Sequence, residues 1–387
     1  MPHLRFFLSS FGWNLGLGMT WLPIPLYAHA QGLSNAEIGL LFAVPVIAQA
    51  PLNLVGGAYT DRIGGQRILL YSCLALALTG PWFIFATGFW MLLVGQLVLV
   101  VARAAFWPAN WSMASELPGV RGVQLGRLNA VTNVGQIVGT FLSGVILAYA
   151  GFTATFAALG AVGVATLVAA LNTPVGAPRP QAAKRNLLAG YRPMLRQRII
   201  LYAVMCAYLS ALPFSLVTSF YPLLLDQFGH GETLSGVLIS LRAIGSIAAS
   251  LLAARFVRSG PDTPWPVICG VAVALGVALS PTVNHAVPIG AWLLLMGAGS
   301  AAMTLYFQIT ISEASRPEER ASALALGGLG WSLSHLSTPL LMGQLADRYG
   351  LVTGFYVVGG LAGATALLIA WMRHWAFAKR TDEVRRA

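Results

Sequence analysis

Long apolar runs dominate the sequence, without the alternation of apolar and polar positions that a half-buried strand shows. A helix needs about 20 residues to cross the roughly 30 Å hydrocarbon core of a bilayer, whereas strands of a membrane barrel alternate over about ten residues. The runs therefore predict membrane-spanning helices. On that measure, spans are predicted at 5–29, 34–58, 66–87, 89–113, 123–149, 151–172, 198–225, 233–256, 265–283, 287–312, 321–346 and 351–376.

One segment interrupts this pattern in the middle of the chain. Residues 173–197 contain four prolines and five basic residues but no acidic residue. Such a stretch is not expected to enter hydrocarbon, so it predicts a basic cytoplasmic linker between two bundles. The predicted organisation is an N-terminal six-helix bundle at 1–172, this linker, a C-terminal six-helix bundle at 198–378 and a cytoplasmic tail at 379–387.

The two halves also resemble each other at a fixed offset of 199 residues. The matches fall in register across spans five and six and spans eleven and twelve, which favours an internal duplication of the kind common in secondary transporters. The matched pairs are Pro118 and Pro317, Arg121 and Arg320, Gly144 and Gly343, Gly151 and Gly350, and Phe156 and Phe355.

Composition and charge agree with a protein dissolved in lipid. Only 9% of the residues are charged and 57% are hydrophobic, whereas a soluble domain carries about a quarter charged residues. This excludes a soluble globular protein and an intrinsically disordered one. With a cytoplasmic N-terminus, 20 of the 23 Lys and Arg residues fall on the cytoplasmic side, as the positive-inside rule requires. The net charge of +11 is therefore an orientation signal, and nucleic acid is not an expected partner.

The loop after the second predicted span reads Gly57-Ala58-Tyr59-Thr60-Asp61-Arg62-Ile63-Gly64-Gly65-Gln66-Arg67. It resembles the G-x-x-x-D-R-x-G-x-x-R signature that the major facilitator superfamily carries between its second and third helices. The departures are Tyr59 and Thr60, where small aliphatic residues are usual, and Gly65, where a basic residue is common. The resemblance extends over the whole chain through the twelve spans, the central basic loop and the repeated halves. It implies an all-α integral membrane fold of two pseudo-symmetric six-helix bundles that works by alternating access.

The same loop holds the residues expected to control gating. Glycines at 57 and 64 let helix ends approach and turn, while Asp61 can accept hydrogen bonds from a helix N-terminus or pair with an arginine. Glu116, at the inner end of span four, matches the acidic residue that similar transporters place there, so a breakable latch is expected. The alternative is a solvated loop whose charges only obey the positive-inside rule. The predicted gating residues are Gly57, Asp61, Arg62, Gly64, Arg67 and Glu116.

Two arginines lie near the middle of spans, Arg103 in span four and Arg242 in span eight, with no Asp or Glu at comparable depth. Charges in a membrane are costly and normally face the interior of the bundle. Because a guanidinium binds carboxylate or phosphate through paired donors, an anionic ligand is the simplest expected partner for both. The segment around Arg103 also resembles the family's fourth-helix arginine motif, which implies a role in coupling, and a purely structural arginine is the alternative.

Polar side chains recur at helical spacing in spans five and eleven, which predicts helices lining an aqueous cavity. Interhelical hydrogen bonding is the alternative, and His335 is either a proton carrier or a packing residue. Gly135 and Gly139 resemble a glycine-rich antiporter motif, although Thr140 replaces its proline and close helix packing also explains them. The predicted substrate-binding residues are Arg103, Trp107, Asn110, Asn133, Gln136, Arg242, Trp331 and His335.

These features predict a secondary active transporter that moves a small organic anion coupled to a proton or ion gradient. The alternatives are proton-coupled multidrug efflux, with Trp21, Trp107 and Trp331 forming an apolar pocket, and a membrane receptor that does not transport. The sequence shows no nucleophile–base constellation, phosphate-binding glycine loop or metal-ligand spacing, so no enzyme activity, cofactor or metal is expected. The expected partners are the substrate, the coupling proton or ion and the lipid bilayer, with a monomer in the plasma (inner) membrane and both termini in the cytoplasm.

Overall fold

The computed structural model describes residues 2–171, 173, 197–253, 256–315 and 320–386, and all regular elements within these ranges are helical. The first half comprises α1 (Pro2–Trp21), α2 (Pro23–Ala30), α3 (Asn35–Ile63), α4 (Gly65–Phe85), α5 (Gly88–Glu116) and α6 (Arg121–Leu171). The second half comprises α7 (Arg198–Ser219), α8 (Tyr221–Gln227), α9 (Glu232–Ala253), α10 (Trp265–Leu279), α11 (Ala286–Ala314), α12 (Arg320–Tyr349) and α13 (Leu351–Arg386), with a 3₁₀ turn at Ser280–Thr282.

Each predicted span coincides with one of these helices or with a pair of them. Eight of the helical stretches in the described ranges are long and apolar enough to cross a membrane. One of these, Val123–Leu171, holds two predicted spans, because two helices follow each other directly across a sharp kink at Gly151. The predicted all-α membrane fold is confirmed. The predicted linker at 173–197 lies almost entirely outside the described residues, and so do the side chains of the tail at 379–387.

The helix boundaries repeat at the same offset of 199 residues that relates the two halves of the sequence. Pro23 begins α2 and Pro222 lies in the first turn of α8, so the first span of each half is divided before a proline. Proline has no backbone N–H and is favoured in a first helical turn, although membrane helices also tolerate it in their interior, as at Pro81 and Pro339. Gly151 and Gly350 turn the chain between the last two spans of each half, with φ of +76° and +85°, where a side chain would be strained.

The chain divides into two compact units, Met1–Lys184 with Thr218–Ser240, and Arg185–Val217 with Leu241–Ala387. In the first unit α1 and α4 pack against α6, while α3 packs against α5. In the second unit α10 packs against α11 and α13. Both units have aromatic cores, because large side chains fill the spaces between helices: Trp13, Phe83, Phe106 and Phe156 in the first, Tyr202, Tyr306 and Phe355 in the second.

Small residues set the spacing between α1 and α6. A Cβ atom at Gly139 would overlap the carbonyl oxygen of Leu15, and one at Gly18 would overlap the carbonyl oxygen of Gln136. A Cβ at Gly135 would lie 2.6 Å from the carbonyl oxygen of Phe11, which is also too close. The glycines of span five therefore act in close helix packing, the general role of small residues spaced four apart in membrane helices.

Candidate functional site

Arg242 is the most deeply buried cation among the described side chains. It lies in α9, is 7% exposed, and its Nε is buried without a hydrogen-bond partner. Its guanidinium carbon lies 5.0 Å from the centroid of the Phe214 ring. A cation over an aromatic face is attracted by the ring quadrupole, but this contact supplies no hydrogen-bond acceptor for the buried Nε–H. Arg242 is therefore a buried cation whose charge is only partly compensated.

The backbone around Arg242 is held against α11. A Cβ atom at Gly297 would overlap the Arg242 carbonyl oxygen, so only glycine allows this approach. Ser246, one turn later on α9, donates from its hydroxyl to the carbonyl oxygen of Gly297 at 3.0 Å and to that of Arg242 at 3.1 Å. These contacts fix the position of the α9 backbone, while the guanidinium lies over a ring of α7.

Two pairs of residues, each four apart on a helix, bring aromatic rings together beside Arg242. On α7 these are Ser210 and Phe214, and on α12 they are Trp331 and His335. The Trp331 and His335 rings stack with centroids 5.3 Å apart and planes at 18°. The Phe214 centroid lies 6.1 Å from that of Trp331 and 5.5 Å from that of His335. Residues four apart share one helix face, so α7 and α12 each present such a face.

Hydrogen bonds hold these rings in place. The indole N–H of Trp331 donates to Ser210 Oγ at 3.2 Å, and Ser210 Oγ donates to the carbonyl oxygen of Ala207 at 2.8 Å. His335 Nδ1 lies 2.9 Å from the carbonyl oxygen of Trp331. Because a carbonyl oxygen only accepts, Nδ1 carries the proton of this bond. We call Arg242, Phe214, Trp331 and His335 the arginine–aromatic cluster; all four lie within the second compact unit.

The second buried arginine has a partner. Arg103, on α5, donates from Nη2 to the amide oxygen of Gln49 on α3 at 2.6 Å, although its Nε is buried without a partner. Arg103 therefore has a neutral partner in this structure, and an anionic ligand for it stays a prediction. A neutral amide inside the bundle supplies one acceptor, and such bonds are a common way for polar groups to connect membrane helices.

The other predicted residues of α5 pack within the first unit. Asn110 is completely buried and accepts a hydrogen bond from the Ser10 hydroxyl through Oδ1 at 2.9 Å, while its Nδ2 has no partner. The Trp107 ring is half-buried, 5.5 Å from the centroid of Phe106 and 5.6 Å from that of Trp111. The bond to Ser10 places Asn110 between α1 and α5. Part of the Trp107 ring stays exposed.

The polar stripe of α6 is largely engaged by its neighbours. Gln136 donates from Nε2 to Asn14 Oδ1 on α1 at 2.8 Å, and Asn133 donates from Nδ2 to the carbonyl oxygen of Asn129 at 2.7 Å. The Thr140 hydroxyl is buried between the carbonyl oxygens of Gly18 and Gln136. In this conformation the stripe supplies hydrogen bonds to α1 and within α6, and its role in lining a cavity stays a prediction.

The predicted gating residues are only partly described. Gly64 separates α3 from α4 with φ of +94°, Arg67 is exposed near the start of α4, and Glu116 is exposed at the end of α5. The surroundings of Gly57, Asp61 and Arg62 lie outside the described part of the chain, so the latch stays a prediction. In the second half, the hydroxyl of Ser259, in the loop after α9, donates to the carboxylate of Glu313 near the end of α11.

An apolar groove lies in the first unit, between α4 and α5. Its volume is about 330 Å³, and its lining includes Tyr71, Leu97, Val101 and Ala105. None of the predicted substrate-binding residues lines it. The described residues contain no group of three or more His, Cys, Asp or Glu side chains that could hold a metal ion.

Sequence reasoning identified three members of the arginine–aromatic cluster but missed Phe214 and its neighbour Ser210, as well as Gln49 on α3. Phe214 gives no signal of its own, since every predicted span contains at least one aromatic residue. Ser210 begins a polar series on α7 that continues with Ser215, Thr218 and Ser219, and that series was the available indication. Gln49 is an isolated amide in an apolar run, which is the pattern of a buried hydrogen-bonding residue.

Comparison with known proteins agrees with this architecture. Multidrug resistance protein MdtG of Proteus mirabilis (strain HI4320) is 23% identical over 390 residues, which cover 95% of this chain and 93% of that protein. The nitrite extrusion protein of Bacillus subtilis (strain 168) is 23% identical over 400 residues, covering 99% and 97%. The crystal structure of nucleoside transporter NupG has a TM-score of 0.81 at 14% identity, covering 95% of this chain and 98% of that chain. A family model described as Major Facilitator Superfamily matches residues 6–294, and the chain belongs to that superfamily.

Proposed function

We propose that this secondary transporter moves a small organic anion by alternating access, driven by a proton or ion gradient, and that Arg242 binds the anionic group. Fold and family point to transport rather than catalysis. The observation that carries the proposal is the burial of Arg242, whose Nε makes no hydrogen bond to a described residue.

The energetics of burial favour an anionic ligand at this position. An ion removed from water loses several kcal/mol of solvation even after relaxation of its surroundings, and an opposite charge with good hydrogen bonds offsets that cost. The cation–π contact with Phe214 contributes only about 0.5–2 kcal/mol. A carboxylate would supply two acceptors in the geometry of the guanidinium fork.

The relatives differ in what their names say they transport. One is named as a nitrite extrusion protein, and nitrite resembles a carboxylate in presenting two oxygens on one atom. This supports an anion as cargo. Arg103 is proposed to take part less directly, because its Nη2 is already bonded to Gln49.

The test compares the two arginines in purified protein. Arg242→Gln should weaken binding of a carboxylate substrate by about tenfold to more than a hundredfold, since hydrogen bonds to charged groups are worth about 1.5–3 kcal/mol. Arg242→Lys should recover only part of the loss, because Lys keeps the charge without the planar fork. Arg127→Gln removes an exposed arginine of α6 and serves as the matched control.

Unchanged carboxylate affinity and counterflow in Arg242→Gln would contradict the proposal. If the variant gains affinity for neutral or cationic lipophilic compounds and wild type never binds carboxylates, multidrug efflux replaces it. That second candidate is favoured by the name of one relative, multidrug resistance protein MdtG, and by the aromatic rings beside Arg242.

The proposed function also includes a membrane location, an orientation and a set of partners. The protein is a multi-pass membrane protein, and we place it in the plasma (inner) membrane with both termini in the cytoplasm because basic residues concentrate in the loops on that side. Its partners are the substrate, the coupling proton or ion and the bilayer, and it acts as a monomer.

A further inference from the structure

The arginine–aromatic cluster combines two chemical features that an aliphatic anion cannot both use. One is the buried Arg242 guanidinium, whose Nε has no hydrogen-bond partner, and the other is the set of half-buried rings of Phe214, Trp331 and His335. We propose that this cluster selects anions that carry an aromatic ring close to the anionic group, with an aromatic monocarboxylate as the ligand class. This inference rests on the proposed function and specifies its substrate.

The rings are positioned before any ligand arrives. Trp331 is bonded through its indole N–H to Ser210 on α7, and Ser300 on α11 donates to the Ser210 carbonyl oxygen at 2.5 Å. His335 is fixed by the carbonyl oxygen of Trp331 and by stacking on its ring. Three helices therefore hold the Trp331–His335 stack, so little side-chain freedom is lost when a ligand binds there.

Phe214 contacts both the Arg242 guanidinium and the Trp331–His335 stack. The centroid of its ring lies 5.0 Å from the guanidinium carbon, and 6.1 and 5.5 Å from the ring centroids of Trp331 and His335. A ligand whose carboxylate binds Arg242 would therefore have the Phe214 ring close to that carboxylate. Aromatic rings prefer offset-stacked or edge-to-face contacts at centroid distances of about 4.5–7 Å, the spacing already present in the cluster.

The sign of the charge narrows the ligand class further. Aromatic surfaces alone attract cations, and a pocket lined only by Trp and Phe would favour lipophilic cationic drugs. The fixed positive charge of Arg242 opposes a cation at this position, and among the described residues no Asp or Glu belongs to the cluster to offset it. Aromatic anions satisfy both the charge and the rings, whereas nitrite satisfies only the charge.

Matched ligands separate these contributions. Benzoate and cyclohexanecarboxylate have the same charge and nearly the same size, but only benzoate has an aromatic ring. Binding to purified full-length protein, measured by thermal shift and by competition for benzoate uptake into proteoliposomes, should favour benzoate by about threefold to tenfold, the range for an aromatic pair. Benzamide and benzylammonium, neutral and cationic aromatic analogues, should bind more weakly than benzoate.

Variants of Phe214 and Trp331 test whether these rings cause the preference for benzoate. Phe214→Leu and Trp331→Leu should each remove most of the preference for benzoate while cyclohexanecarboxylate still binds in an Arg242-dependent manner. Phe214→Tyr keeps the ring and should retain the preference, which guards against loss through misfolding. Phe141→Leu removes an exposed ring of α6 and is the matched control.

The possible outcomes distinguish this inference from the proposed function. Equal affinity for benzoate and cyclohexanecarboxylate, both lost in Arg242→Gln, would overturn the aromatic selectivity and leave anion transport standing. Competition by nitrite as strong as that by benzoate would also overturn it. If no anion binds in wild type, the proposed function fails as well. A benzoate preference that persists in Phe214→Leu and Trp331→Leu would place the aromatic contact elsewhere and refute the assignment to this cluster.

Discussion

Arg103 and Arg242 look equivalent in the sequence, since each lies mid-span with no carboxylate at its depth, yet their surroundings differ. Arg103 bonds to a neutral amide, and Arg242 only faces a ring. The difference comes from a single residue, Gln49 on α3. An uncharged acceptor costs less to bury than a carboxylate, so it can hold a guanidinium in place without cancelling its charge. Arg103, which bonds to Gln49, is suited to a structural or coupling role. Arg242, which faces only a ring, is suited to binding a ligand.

The first prediction at this scale concerns Gln49. In Gln49→Leu the Arg103 guanidinium loses its acceptor, and the protein should lose about 1.5–3 kcal/mol of stability, the range for a hydrogen bond to a charged group. Thermal unfolding in detergent measures the change as a lower melting temperature. The double variant Gln49→Leu with Arg103→Met should recover much of the loss, because both partners become apolar. An unchanged melting temperature in Gln49→Leu would show that the bond contributes no net stability.

The sequence predicted the candidate site only in part, and the reason is geometric. Hydropathy predicts how deep a residue lies along a span, so it identified Arg103, Arg242 and His335 as mid-span residues. It does not fix the rotation of a long apolar helix about its axis, because such helices are apolar on every face. The contact of Phe214 with Arg242 and that of Gln49 with Arg103 depend on this rotation, so the sequence could not predict them.

At the scale of the helix, glycine residues allow particular pairs of helices to pack closely. The α1–α6 contact uses Gly18, Gly135 and Gly139, and the α9–α11 contact uses Gly245 and Gly297, where added Cβ atoms would overlap main-chain atoms. In lipid there is no hydrophobic driving force between helices, so close packing and interhelical hydrogen bonds hold them together. Close packing and hydrogen bonding occur together at two of these glycines. Ser246 donates to the carbonyl oxygen of Gly297, and Thr140 donates to that of Gly18.

A substitution at Gly139 tests the α1–α6 contact. Gly139→Ala should destabilise the protein by about 1–3 kcal/mol, the cost of overpacking, since the new methyl group meets the carbonyl oxygen of Leu15. Gly126→Ala on the same helix has open space around the new Cβ and should be neutral or stabilising by up to about 1 kcal/mol, as Ala is the better helix former. Melting temperatures of the two variants provide the comparison, and equal values would contradict a packing role for Gly139.

At the scale of the whole molecule, the duplication seen in the sequence is also present in the backbone. Gly151 and Gly350, related by 199 residues, both adopt positive φ, and Pro23 and Pro222 divide the first spans at equivalent points. The hydropathy pattern was sufficient to predict the twelve spans, because crossing a bilayer leaves helices as the only non-barrel solution. It did not predict the division of the first spans into two helices, because a proline in an apolar run can also lie inside a continuous helix, as Pro81 and Pro339 do.

The last prediction concerns orientation in the membrane, which the unequal distribution of basic residues over the loops predicts. Val120, 72% exposed between α5 and α6, should face the cytoplasm, and Gly231, exposed before α9, should face the opposite side. The native cysteines, Cys73, Cys206 and Cys269, are all buried, so new cysteines at these two positions can be labelled against a low background. With a membrane-impermeant maleimide, Gly231→Cys should react in intact cells, whereas Val120→Cys should react only after permeabilisation.

Gly231 has open space around a new Cβ and a φ outside the region reserved for glycine, so the cysteine should be tolerated there. Reaction of both positions from the same side would contradict the predicted number of spans between them. Reaction of Val120→Cys alone in intact cells would keep the number of spans but reverse the orientation. The positive-inside argument would then fail for this chain even though its fold stands, because orientation depends on loop charge whereas the fold depends on the apolar runs and the glycines between them.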